Sequence, residues 1–298
     1  MKHDWGPTMQ PAERQALTGM RVAVPDHTDF RWQGEPRRGP VRTMSWVTET
    51  PPPAGVDLFE VHRLCLEESE APPLSPEDRA ARDRVWTAAT SANPTLFDGP
   101  VVACAGVEWE GPRDLVLFWA RVTYRHYALR RVPGCRSWLP SLFVNVVQPT
   151  DDGRMLVARM SSSTAAPGRW QLPGGSVEPP EGGQVLDEAA LRGHAVRELA
   201  EETGISAAPE RLRLWVVTRG ENGSIGVTYL APPVSTAELR ERFAIAVADE
   251  RARGCDPELD RIALVGSPAD LTRLRGPHAD YLEPLVRRYA GFHRRPGG

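Results

Sequence analysis

Three glutamates lie close together in the segment RELAEETG, residues 197–204. In an α-helix, Glu198, Glu201 and Glu202 would fall within an arc of roughly 100° on one face. Carboxylates crowded in this way repel one another unless a cation offsets their charge. Hard cations such as Mg²⁺ take oxygen ligands and commonly bridge to substrate phosphates. The spacing therefore indicates a metal site, although a solvated acidic helix face has the same spacing.

The residues around this segment favour the metal site. It is preceded by GRWQLPGGSVE, which reads as a strand that leads into Gly174 and Gly175, where the backbone can approach a metal or a phosphate closely. It ends in Gly204 followed by Ile205, a typical helix terminus. A strand, a glycine turn and an acidic helix thus follow one another in the order that a phosphate-handling site needs.

Residues 175–205 resemble the signature of the Nudix hydrolases: Gly, five residues, Glu, seven residues, then Arg-Glu-apolar-x-Glu-Glu-x-Gly-apolar. Residues 197–205 fit the second part at every fixed position, and Gly175 and Glu181 fit the first part. Fifteen residues instead of seven separate Glu181 from Arg197. The eight extra residues would make about 2.2 helical turns or a bulging loop. We expect Asp187 near the start of the signature helix.

The extra length displaces the first glutamate of the signature. Either Glu181 reaches back through a looped insertion, or Glu178 or Glu188 takes its place, or its role is absent. In the family this residue mainly helps to orient the site. The insertion therefore affects the scaffold more than the metal ligands.

The resemblance implies hydrolysis of a diphosphate linkage with Mg²⁺ or Mn²⁺ as cofactor. It places the metal ligands at Glu198, Glu201, Glu202 and the backbone of Gly175, and it gives Arg197 the role of orienting the glutamates by a salt bridge. The proton acceptor stays open between Glu201, Glu198 and a loop residue.

A further carboxylate is expected from a late loop. Glu258, in CDPELDRIALV, lies where several relatives bring in an additional acid, and an ordinary surface acid is the alternative.

A second resemblance covers the first half of the chain. NPTLFDG (residues 93–99), the later VTYRHY and the Gly-Gly-x-x-Glu-Pro segment at residues 174–179 resemble the animal and plant Nudix proteins that cleave UDP-glucose and UDP-galactose. A UDP-sugar is therefore the leading substrate. A prenyl diphosphate, another biosynthetic diphosphate intermediate, or a non-catalytic Nudix sensor of ligands stay open as alternatives.

The elements that must position these residues predict an α/β protein. We expect a Nudix α/β/α sandwich with a mixed β-sheet at residues 138–298, preceded by a smaller β-rich domain at residues 1–137. Helices should begin after Ser75 and Ser235, and Gly153 and Gly223 should each close a hairpin. The pieces RVAVP and TMSWVTE are strand-like, and Tyr124, His126 and Tyr127 would alternate along a strand.

Composition excludes several other classes. The chain of 298 residues has a formal net charge of −3, which gives no basic footprint for nucleic acid. No apolar run is long enough for a signal peptide or a membrane span, and the four cysteines form no C-x-x-C pair. We therefore expect free thiols, a cytoplasmic location and a small-molecule diphosphate partner. The sequence predicts no oligomeric state.

Overall fold

The computed structural model describes residues 55–293. The predicted strands RVAVP and TMSWVTE lie outside these residues. The described strands are β1 (Asp57–Phe59), β2 (Arg63–Glu68), β3 (Pro100–Trp109), β4 (Asp114–Thr123), β5 (Leu142–Val147), β6 (Met155–Met160), β7 (Trp170–Gln171), β8 (Arg213–Arg219), β9 (Ile225–Leu230) and β10 (Leu259–Val265). The α-helices are α1 (Pro76–Ala92), α2 (Glu188–Thr203), α3 (Thr236–Ala252), α4 (Pro268–Leu271) and α5 (Leu282–His293).

A mixed sheet in the order β1-β8-β9-β5 forms the centre of the second half. Strands β5 and β9 are parallel, and the other pairs are antiparallel. Side chains of β5 alternate between two cores: Val144 and Val146 face the cluster that includes α2, whereas Phe143 and Val147 face the cluster that includes α5. The predicted α/β/α sandwich with a mixed sheet is confirmed.

The turn around Asp152 and Gly153 forms as predicted, but the hairpin is short. Gly153 has φ +79°, and the turn is closed by hydrogen bonds from Thr150 N–H to the Arg154 carbonyl (2.7 Å) and from Leu156 N–H to the Gln148 carbonyl (2.9 Å). Beyond this point β5 pairs with β9, and β6 pairs with β10 and β7. The turn is a local property, whereas distant strands decide the pairing.

A separate three-stranded sheet, in the order β2-β4-β3, precedes the sandwich. Its apolar side chains, among them Leu117 and Trp119, pack in the same core cluster as Leu191 and Leu199 of α2. The predicted domain boundary near residue 137 falls in the connection between β4 and β5, and it stays a prediction. The β-rich part and the sandwich share one core.

Local capping signals place the helices where the sequence predicted them. The Ser75, Asp187 and Ser235 side chains each accept a hydrogen bond from a backbone N–H three residues on. Among residues 55–293, no helix is both long enough and apolar enough to span a membrane.

The predicted strand through Tyr124 and Tyr127 is wrong. Strand β4 ends at Thr123, and a 3₁₀ segment, Tyr124–Arg131, follows it. The Tyr124 ring packs edge-on against Trp86 of α1 at 6.1 Å between centroids, so contact with α1 redirects the chain here.

His126, in this 3₁₀ segment, joins the two halves of the chain. Its Nε2 accepts a hydrogen bond from the Leu139 N–H at 2.9 Å, which assigns the proton to Nδ1. The side chain is buried, and this burial lowers the pKa of His126 to about 4, with a smaller contribution from the charge of Arg82. The imidazole is therefore neutral in the folded protein near pH 7.

We predict that His126 makes the fold sensitive to acid. Because its pKa is lower in the folded than in the unfolded state, the unfolded chain binds the proton first, and stability falls as the pH drops from 6.5 towards 4. This loss amounts to up to about 3 kcal/mol. His126→Gln keeps an acceptor for Leu139 but does not titrate, so denaturant melts should show the stability difference from wild type shrinking over this range. A difference that is independent of pH would contradict the prediction.

Candidate active site

The end of α2 presents the three glutamates of the signature to different environments. Glu202 is only 8% exposed, Glu198 has 15% of its side chain exposed, and Glu201 is exposed. On another face of the helix, Leu191, Ala195 and Leu199 lie in the main core. The helix is therefore anchored by its apolar residues, and the acids lie along one border of that contact.

Glu202 is the centre of the site. Its Oε2 accepts a hydrogen bond from the Gly174 N–H at 2.8 Å, whereas its buried Oε1 has no hydrogen-bond partner among residues 55–293. Burial raises the pKa of Glu202 well above its usual range, and the charges of Glu258, Glu198 and Glu201 raise it further. Three other carboxylates thus act electrostatically on Glu202, whose buried Oε1 lacks a donor among the described residues.

Gly174 and Gly175, in the turn before α2, lie so close to neighbouring atoms that a Cβ at either position would clash. Gly174 has φ +148°, and a Cβ there would lie 2.0 Å from the Val144 carbonyl oxygen. A Cβ on Gly175 would lie 2.6 Å from Glu198 Oε2. The Gly175 carbonyl also accepts the Val144 N–H at 3.0 Å, which fixes this backbone against β5. The turn thus lies against the carboxylates of α2, whereas its predicted approach to a metal or a phosphate stays a prediction.

Glu258 reaches the site from the loop between α3 and β10. Its backbone carbonyl accepts the Ser161 N–H at 2.8 Å, which ties the loop to the end of β6. Its charge is the second cause, after burial, of the raised pKa of Glu202.

Glu250 was missed by sequence reasoning. It lies in the last turn of α3, where the Glu258 backbone N–H donates to its carboxylate. Burial raises the pKa of Glu250, and the charge of Glu201 adds to this. One signal was present in the sequence: an acid in the last turn of a helix interacts unfavourably with the helix dipole, so its presence there can indicate a function. Only the packing of α3 beside α2 places Glu250 near the signature.

Arg197 contacts a loop glutamate. Its Nη2 lies 3.3 Å from Glu178 Oε2 and 3.1 Å from His194 Nδ1, and His194 Nε2 lies 3.7 Å from Glu198 Oε1. Arg197 therefore links the Gly-Gly loop to the helix, and it approaches Glu198 through His194.

The structure distinguishes the three replacements considered for the displaced glutamate. Glu181 is exposed, and Glu188 pairs with Arg192 on the outside of α2, whereas Glu178 pairs with Arg197. Of the fifteen residues after Glu181, residues 182–187 are a loop and residues 188–196 are helical. The extra length is thus shared between loop and helix.

The oxygen atoms of these carboxylates are the kind of ligand that a hard divalent cation prefers. Glu202 Oε1 is buried without a hydrogen-bond partner among the described residues, three further carboxylates act on Glu202 through their charge, and glycine leaves space beside Glu198. As the side chains stand, no group of three His, Cys, Asp or Glu in residues 55–293 converges closely enough to hold a metal. The buried oxygen without a donor is what an oxygen-seeking cation would satisfy.

Comparison with known proteins identifies the second half of the chain. Residues 141–288 match the family model described as NUDIX domain. The MutT protein from Methanosarcina mazei Go1 is 21% identical, with 52% of this chain and 97% of that chain covered and a TM-score of 0.37. A NUDIX hydrolase from Nitrosomonas europaea is 18% identical, with 52% and 91% covered and a TM-score of 0.32. The E. coli ORF135 protein is 22% identical, with 53% and 94% covered and a TM-score of 0.34.

No curated protein matches the chain. Likenesses as distant as those to the solved structures carry no property to this protein, so the assignment depends on the family match and on the signature at residues 197–205. Both agree on the same segment, and the predicted membership of the Nudix family is confirmed for it: residues 141–288 are a NUDIX domain.

Proposed function

We propose that the protein is a divalent-metal-dependent pyrophosphohydrolase that cleaves the diphosphate of a nucleoside diphosphate derivative, with a UDP-sugar as the leading substrate. The observation that carries the proposal is the buried Glu202 Oε1, which lacks a hydrogen-bond partner among the described residues. Glu202 also lies in a NUDIX domain, and the charges of three more carboxylates act on it. A buried, unsatisfied acid of this kind is costly unless a ligand compensates it.

Glu198, Glu202 and the Gly175 carbonyl would hold Mg²⁺ or Mn²⁺, and Glu201 would complete the set on the solvent side. When bound, the ion would offset charge on the diphosphate and lower the pKa of a water molecule. The Gly174 N–H fixes one oxygen of Glu202, so its other oxygen is held in a constant position. This fixed geometry is what the chain itself contributes to orientation.

Glu201 is the best placed proton acceptor. Of the three glutamates on α2 it is the one exposed to water, whereas Glu202 is buried and Glu198 lies against the glycine turn and His194. A base must reach the proton that it removes, and exposure gives Glu201 this access. Arg197 keeps Glu178 and the Gly-Gly loop in place beside the helix.

The NPTLFDG turn supports the involvement of the N-terminal half in substrate binding. The Asn93 side chain accepts hydrogen bonds from the N–H and the hydroxyl of Thr95, and the Thr95 hydroxyl donates to the Ser163 carbonyl at 3.3 Å. Asp98 pairs with Arg125 at 2.7 Å. The turn thus contacts the loop after β6, which belongs to the NUDIX domain.

Hydrolysis of a substrate panel tests the function. UDP-glucose, a dinucleoside polyphosphate and a prenyl diphosphate are incubated with Mg²⁺, Mn²⁺ or EDTA, and phosphorylated products are quantified. We expect metal-dependent cleavage with UDP-glucose preferred. Preference for the prenyl diphosphate would change the substrate class, and cleavage of none with either metal would favour a ligand sensor.

Glu202→Gln tests the metal site. The amide can still accept the Gly174 N–H, but it is a poor ligand, so activity should fall by at least about 100-fold. Without metal, the free energy of unfolding should stay unchanged or rise by about 1 kcal/mol, because the neutral amide avoids the burial cost that raises the pKa of Glu202. The rise in melting temperature that Mg²⁺ gives the wild type should disappear. Glu241→Gln, at an exposed position of α3, is the control, and retained activity in Glu202→Gln would refute the mechanism.

Gly175→Ala tests whether the close approach of residue 175 to the Glu198 carboxylate matters for activity. The added methyl group meets only the end of a flexible side chain, so the fold should persist while kcat/KM falls by about 10- to 100-fold through displacement of the carboxylate. Gly193→Ala on α2 is the matched control, because no atom lies within 4 Å of its added Cβ. It should keep full activity and gain up to about 1 kcal/mol of stability. Equal activity in both variants would show that the close approach at Gly175 has no role.

A further inference from the structure

A cavity of about 290 Å³ lies between the end of α1, the 3₁₀ segment and the loop after β6. Its wall is mostly small and apolar, with Ala89, Leu96 and Ala166 among the lining residues. The charged side chains of this lining are Arg131 and Arg169, and no acid contributes to it. The lining therefore combines small apolar side chains with two guanidinium groups.

Arg130 adds a third guanidinium beside these two. Burial lowers the pKa of Arg130, and the charge of Arg131 lowers it further, so the two arginines lie close enough to repel each other. The Nε atoms of Arg130 and Arg169 are buried and donate to no acceptor within residues 55–293. In the same part of the chain, neither Arg130 nor Arg169 forms an ion pair with a carboxylate; Arg169 donates from Nη2 to the Gln171 side chain at 2.6 Å.

Such an arrangement is unfavourable without an anion. Clustered, partly buried guanidinium groups repel one another and lose hydration, and the usual compensation is a carboxylate or phosphate held by the planar fork of donors. The charge of Asp280 acts on Arg130, but among the described residues no carboxylate forms an ion pair with Arg130 or Arg169. An anionic ligand is therefore the compensation that this chemistry predicts.

The arginines are also close to the carboxylate cluster. The charges of Arg169, Arg130, Arg131 and Glu258 all act on the phenol of Tyr124. The charges of Arg169 and Glu202 both act on Tyr281. Tyr124 and Tyr281 thus each feel the charge of arginines of this cluster and of a carboxylate of the candidate site.

We infer that the cavity lined by Arg131 and Arg169, with Arg130 beside it, is an anion subsite that holds a phosphate group of the substrate. The inference deepens the proposed function and rests on it for the identity of the substrate. It assigns the 3₁₀ segment, which lies outside the NUDIX domain, a direct part in substrate selection. The apolar wall leaves room for a compact group next to that phosphate.

The test measures anion binding apart from catalysis. Inorganic pyrophosphate is titrated calorimetrically into the full chain in EDTA, so that no metal bridges the probe to the glutamates. The wild type should bind with a dissociation constant of about 1 mM or tighter. Arg169→Gln and Arg130→Gln should each weaken binding by at least about 10-fold, because a charged hydrogen bond to the anion is lost. Arg169→Lys keeps the positive charge but loses the paired N–H donors of the guanidinium group, so its affinity for pyrophosphate should lie between those of the wild type and Arg169→Gln.

Arg240→Gln, at an exposed site on α3, controls for net charge and should bind as the wild type does. Melting temperatures establish that each variant is folded. Absence of binding to the wild type, or equal binding by wild type and both folded glutamine variants, would overturn the inference. For hydrolysis, Arg169→Gln should raise KM for UDP-glucose about 10-fold with a smaller change in kcat. If no diphosphate is hydrolysed but arginine-dependent binding of pyrophosphate persists, the proposed function fails and the anion subsite stands.

Discussion

The hydrogen bond from the Gly174 N–H to Glu202 is the constraint on which the site depends. It joins the turn after β7 to the last turn of α2 in a place where water is excluded. Only glycine permits it, because Gly174 has φ +148° and has no space for a Cβ. One carboxylate oxygen is satisfied and the other is left without a donor among the described residues, and this oxygen is the observation behind the proposed cation site.

The apolar face of α2 stabilises this unfavourable arrangement. Leu191 and Leu199 are fully buried between the central sheet and the N-terminal sheet. Each such side chain contributes about 1.5–3 kcal/mol on burial. Losses of a few kcal/mol from a buried, incompletely paired acid are of the same size. The shared core therefore allows the acids to be held close together, and it ties the β-rich part of the chain to the NUDIX domain.

Acidic and basic groups come from different elements. Acids are contributed by α2, the end of α3 and the loop before β10, whereas Arg130 and Arg131 come from the 3₁₀ segment and Arg169 immediately precedes β7. A metal-bound diphosphate requires both signs of charge, with carboxylates for the cation and arginines for the phosphate oxygens. The N-terminal half thereby adds to the NUDIX domain a surface that the signature does not encode.

Local signals allowed much of the fold to be predicted. Ser75, Asp187 and Ser235 cap the helices that they were expected to cap, and Gly223 closes the hairpin of β8 and β9 with φ +72°. These features depend on neighbours within a few residues. The separation of β5 from β6 and the 3₁₀ segment after β4 were not predicted, because distant strands and α1 decide them.

By itself the sequence determined that three glutamates share one helical face behind a glycine turn, since helical periodicity is a local property. Tertiary structure decided that Glu202 is buried while its neighbour Glu201 is exposed, that Glu178 instead of Glu181 meets Arg197, and that Glu250 joins the cluster. It also brought Arg131 and Arg169 to one cavity, with Arg130 close to Arg131. Burial and charge proximity depend on which surfaces pack together, and contacts between residues far apart in the chain settle that packing.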